Sequence, residues 1–71
     1  MVAIMKKEDI ILDYIKDYIS KHGYSPSIRD IVSGCGMSST SVVNYHLNKL
    51  ENKGIISRDR HKARTIIVHD T

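Results

Sequence analysis

The sequence predicts a small, mainly α-helical domain in which three helices precede a β-hairpin. Three observations predict it. Two stretches carry apolar residues at three- and four-residue spacing, a short serine-led stretch between them ends in glycines, and two short β-branched runs near the C-terminus flank a charged segment.

The first helix is expected over Glu8 to Lys21, "EDIILDYIKDYISK", because Ile11, Tyr14, Ile15, Tyr18 and Ile19 fall on one face, with Asp13, Lys16, Asp17 and Ser20 between them. Acidic residues open it, lysine and histidine close it, and Gly23 supplies the left-handed stop. In "GYSPS", Pro26 keeps Ser25 extended, and Ser27 with Asp30 has capping-box spacing for a second helix. Ile28, Ile31, Val32 and Cys35 form its buried stripe. Gly34 and Gly36 keep it short, with Gly36 taking the positive φ of a tight turn. Met37 then plugs the core, and Ser38 or Ser39 caps the third helix.

That third helix is expected from Thr40 to Asn52, closed by Gly54 after Lys53. Val43, Leu47 and Leu50 make the core stripe, flanked by Val42 and His46. At about 100° per residue, the opposite face centres on Ser41, Tyr45, Asn48 and Asn52, with Asn44 at its edge. "GIIS" and "TIIV", separated by "RDRHKAR", then read as a β-hairpin with a basic tip. Helix, short helix, tight turn, helix and hairpin is the order of a three-helix winged helix-turn-helix.

At 71 residues the chain is expected to be a single domain, residues 1–71 with a core at about 8–69, near the lower limit for a core without staples. A deep enzymatic cleft is not expected. The lone Cys35 cannot form an internal bridge, and neither it nor His22, His46, His61 or His69 shows metal-ligand spacing, so no metal or cofactor is expected. Cys35 reads as a small apolar filler and His46 as a packed or hydrogen-bonding side chain. No Ser/His/Asp order, paired carboxylate or phosphate-binding glycine loop stands out, so no catalytic residue is assigned. No run has the length of a membrane span, and "MVAIMKKEDI" places its charge after its apolar start, the reverse of a signal peptide. A soluble cytoplasmic protein with no small-molecule substrate is expected.

Charge is distributed unevenly. Residues 1–30 hold five basic and five acidic side chains, whereas residues 31–71 hold six basic and three acidic, so the whole net charge of +3 lies in the second half. This favours a polyanionic partner. In a helix-turn-helix the second helix of the motif enters the major groove, and the outward residues of its first turns reach base edges. Here those are Ser41, Asn44, Tyr45 and Asn48. Asparagine matches the paired donor and acceptor of adenine, serine reads either sense, and tyrosine packs on a thymine methyl or bonds phosphate. The hydroxyls of Ser38, Ser39 and Thr40 sit at the positive end of the helix dipole, a seat for phosphate. Lys49 and Lys53 later on the helix, with Arg60, Lys62 and Arg64 in the hairpin, complete the candidate backbone contacts. Taken singly, exposed amides, a serine cap and a basic turn are ordinary solvated surface. Their coincidence on the elements that this fold presents to DNA is what favours an interface. The alternative is a protein-docking module without DNA binding, using Tyr45 and the Val42 edge.

The stretches "GYSPSIRDI", "SSTSVVNYHLNKLENKG" and "GIISRD" make the chain, from about Glu8 to Val68, resemble the N-terminal DNA-binding domain of LexA-type repressors. The resemblance implies a bacterial, nucleoid-associated repressor that binds palindromic operators as a dimer, in the family those of DNA-damage (SOS) response genes. Carried over by position, it implies base reading by Ser39, Ser41, Val42, Asn44 and Tyr45, and places Arg29 near the DNA backbone. Complete family members also carry a C-terminal protease and dimerisation domain. None of it is in these 71 residues, so self-cleavage is not expected of them. The apolar residues are nearly all assigned to the core, so a monomer that pairs only on DNA is expected.

Overall fold

The first helix, α1, runs Lys7–His22, one residue longer at each end than its apolar pattern required. The computed structural model describes residues 6–59, 61, 62 and 64–69. At the start of α1 the Lys6 amide donates to Asp9 Oδ2 at 3.4 Å, and the helix ends at Gly23, whose φ of 79° lets its N–H donate back to the Ile19 carbonyl. Only a residue without a Cβ takes that conformation at little cost. The second helix, α2, is Ile28–Cys35. Its capping box is complete: the Ser27 hydroxyl accepts from the Asp30 N–H at 3.1 Å, and the Ser27 N–H donates to Asp30 Oδ2 at 3.0 Å.

Helix α3 is Thr40–Asn52, and Ser39 proves to be its cap, its hydroxyl accepting from the Val42 N–H. The chain then turns at Gly54 into β1, Ile56–Ser57, which pairs antiparallel with β2, Ile67–Val68, in the register Ile56 opposite Val68. Both strands are shorter than the four-residue runs that predict them, because flanking N–H groups are committed elsewhere. The Ile55 N–H closes α3 on the Leu50 carbonyl, and the Ile66 N–H donates to the buried Ser25 hydroxyl.

Each element contributes to one core. Ile11 and Ile15 of α1, Ile31 of α2, Val43, Leu47 and Leu50 of α3, and Ile56 and Ile66 of the hairpin are all buried, and Cys35 and Met37 pack partly against them. Full burial of such a side chain is worth roughly 1.5–3 kcal/mol. Burial pushes the Cys35 thiol up, away from the reactive thiolate. Among the described residues no helix is long and apolar enough to cross a membrane.

Candidate nucleic-acid interface

Because Val43, Leu47 and Leu50 fix the rotation of α3, its other faces are settled. Ser41 and Tyr45 lie exposed, Tyr45 at 56 %, while Asn44, Asn48 and Val42 are half-buried. Ser38, Ser39 and Thr40 are exposed at the N-terminus of the helix, where the dipole is positive. Asn44 and Asn48 face a groove between α3 and the hairpin. Arg29 of α2 lines the same groove, as do His61, Lys62 and Arg64. The fold thus brings together Arg29, Asn44, Asn48, Lys62 and Arg64, which lie far apart in sequence. Arg60 lies outside the described residues.

Lys49 and Lys53 sit elsewhere, on the side of α3 that faces α1. Lys53 Nζ is 2.7 Å from Glu8 Oε2 and Lys49 Nζ is 3.7 Å from Glu8 Oε1. Lys49 also lies over the Tyr45 ring, 4.6 Å from its centroid. The hydrogen bond from Lys53 holds the Glu8 carboxyl below its ordinary value. Arg64 is engaged as well. Its Nη1 lies 3.0 Å from both Asp30 Oδ2 and the Tyr18 hydroxyl, and its guanidinium stands over the Tyr24 ring. Its φ of 57° is left-handed, a conformation uncommon outside glycine, so these contacts hold a strained residue in place. The Ser27 amide, with Arg64 beside it, holds the Asp30 carboxyl below the ordinary carboxylate range. The segment between the two strands is therefore tied to the start of α2. Its turn is braced from within by the Thr65 hydroxyl, which accepts from the Asp59 N–H at 3.1 Å and donates to the Asp59 carbonyl at 2.9 Å.

The residue that pattern reading missed is Arg58. The first residue of the basic stretch "RDRHKAR", it folds back on α3 with its side chain only 7 % exposed. Its Nε donates to Glu51 Oε1 at 2.8 Å, Nη1 to Asn44 Oδ1 at 3.0 Å and Nη2 to Asn48 Oδ1 at 2.9 Å. A signal for it exists in the sequence: Asn44, Asn48 and Glu51 form an i, i+4, i+7 row of acceptors, which one planar, donor-only guanidinium can satisfy. His46 is packed, with a buried Nδ1 that has no hydrogen-bond partner among the described residues.

The family model for the LexA DNA binding domain matches residues 1–65. The LexA repressor of Clostridium novyi is 53% identical over 60 residues, covering 84% of this chain and 29% of that protein. The LexA repressors of Oceanobacillus iheyensis and Shouchella clausii are 43% and 47% identical over 70 and 68 residues, covering 99% and 96% of this chain and 34% and 33% of theirs. The chain spans about a third of the length of these relatives.

Proposed function

The chain belongs to the LexA DNA-binding domain family, and from that premise we propose that it binds double-stranded DNA sequence-specifically and represses transcription. Residues 1–71 act as one DNA-binding unit with no catalytic role. Its work is done in the bacterial cytoplasm, at the nucleoid. The observation that supports this reading most is the shared groove: two amides of the recognition helix and the cations Arg29, Lys62 and Arg64 face one space, which the first residues of α2 also line. Ser39, Ser41, Val42, Asn44, Tyr45 and Asn48 read base edges. Arg29, Ser38, Thr40, Lys62 and Arg64 hold phosphates, with Lys49, Lys53 and Arg60 as outer contacts.

Two copies occupy a palindrome, while the free chain is a monomer. Among the described residues the exposed large apolar side chains are Ile10, Tyr24, Tyr45 and Ile67, too few for a wide apolar interface. A single module binds DNA weakly at physiological salt, and two bound half-sites share an effective concentration.

Fluorescence anisotropy of the chain against a library-selected palindromic duplex and a random duplex, each across a salt series, tests this. The expected result is tighter binding to the selected duplex and a log–log salt slope of several. Equal affinity for both duplexes, or binding indifferent to salt as in apolar protein docking, contradicts it.

A further inference from the structure

We propose that Arg58 is a specificity-positioning residue: by holding the carbonyl oxygens of Asn44 and Asn48, it makes α3 present amide donors, and so read acceptor atoms, at the bases these two residues meet. The proposal rests on the DNA-reading function above and adds which chemistry is read. An asparagine amide carries an acceptor and a donor on a planar group whose terminal torsion is broad and roughly two-fold, so an unrestrained amide offers either end. Here the choice is removed. A guanidinium has five donors and no acceptor, so the atom of each amide that faces Arg58 at 2.9–3.0 Å must be Oδ1. The NH₂ group then takes the other branch of the amide. All three guanidinium nitrogens are engaged, and Glu51 lies 2.8 Å from Nε to balance the charge. With a side chain 7 % exposed, Arg58 is built to orient neighbours and not to meet phosphate.

The consequence for sequence preference follows from the major-groove edges. Guanine shows two acceptors and no donor, thymine an acceptor, adenine one acceptor beside one donor, and cytosine a donor alone. Oriented donors therefore favour guanine or thymine and disfavour cytosine most. Adenine loses its usual advantage, because its bidentate contact needs the same amide to accept and donate toward the base. Arg58 directly follows β1, so the clamp also fixes the turn end of the hairpin ladder to the recognition helix.

Two variants and two readouts test this. Selection from a randomised duplex library should show cytosine disfavoured by about ten-fold or more at the positions read by Asn44 and Asn48. Arg58→Lys keeps the charge but loses the fork, and should flatten that preference to within about three-fold while changing affinity for random duplex by no more than about three-fold. Asn44→Asp, with Arg58 holding one carboxylate oxygen and the other turned to the groove, should shift the preference toward cytosine at its position. In the free protein, the side-chain amide NMR signals of Asn44 and Asn48 should move on Arg58→Lys. An unchanged base profile in Arg58→Lys, a parent preference for adenine over guanine at these positions, or amide signals indifferent to Arg58 overturns the proposal. A parent that selects no sequence, yet whose amide signals respond to Arg58→Lys, overturns it through the DNA-reading premise while leaving the clamp itself standing.

Discussion

Tyr14 of α1 packs its ring directly over Gly34 of α2: a Cβ added at Gly34 would meet the ring and sit 2.6 Å from the phenol oxygen. The glycine is there for close helix approach, at the expense of helix propensity. Burial pushes the Tyr14 phenol up from its ordinary value.

Gly34→Ala therefore sets two effects against each other. Alanine favours the helix by about 1 kcal/mol, but the ring must leave its seat, which we expect to outweigh it, for a net loss of roughly 1–2 kcal/mol. In a Tyr14→Ala background the same substitution should stabilise. Thermal or urea unfolding of the four proteins of this cycle checks the change of sign.

The bond from Lys53 to Glu8 joins residues 45 positions apart. The folded Glu8 carboxyl titrates below its ordinary value of 4.5, so its stabilising contribution is fully present above that value and fades as pH falls through the lower folded value. Glu8→Gln should therefore melt earlier than the parent at neutral pH and converge with it once the pH has fallen below the lowered value of the folded carboxyl. A difference independent of pH would show that the ion pair is not its source.

Residues whose partners are close in the chain were legible in the sequence, and residues whose partners are distant were not. Gly23 and Gly36 stop helices, Ser27 and Asp30 start one, and Val43, Leu47 and Leu50 make a stripe, all through backbone chemistry within one or two turns. Tyr14 over Gly34, Arg58 on Asn44 and Asn48, and Arg64 on Asp30 join separate elements. Periodicity assigns a side chain to a face but does not say which polar group the fold will bring opposite it. For that reason the outward row of α3 was readable as a face, whereas the donor that orients its amides was not.

Core and cap differ in scale. Leu47 is fully buried, so Leu47→Ala should cost roughly 2–5 kcal/mol. Ser27→Ala should cost about 1 kcal/mol by removing the hydroxyl that accepts from Asp30. Denaturant melts rank the two. A Leu47→Ala protein melting within a degree or two of the parent would mean that α3 is rotated from this arrangement.

Substitutions around the groove should separate in kind. Asn44→Ala should lose discrimination at one base position, about 1–3 kcal/mol, whereas Lys62→Ala should weaken all duplexes alike and lower the salt slope by about 1. Lys53→Ala should cost less affinity than Lys62→Ala, since Lys53 is paired with Glu8 on the side of α3 facing α1. Arg64→Ala should also loosen the hairpin, because it removes the contacts that Arg64 makes with Asp30 and Tyr18. Anisotropy titrations with matched and random duplexes distinguish these outcomes.

The central claim is that DNA lies against the N-terminal turns of α3 and the groove beside the hairpin. Backbone amide NMR during titration with a library-selected duplex tests it most directly. The predicted result is that the largest shifts fall on residues 38–48, Arg29, and residues 61–65, with the outward surface of α1 around Asp13 and Asp17 unmoved. Shifts centred on Tyr24 and Ile67 at the far side of the hairpin, or none under saturating DNA, would contradict it.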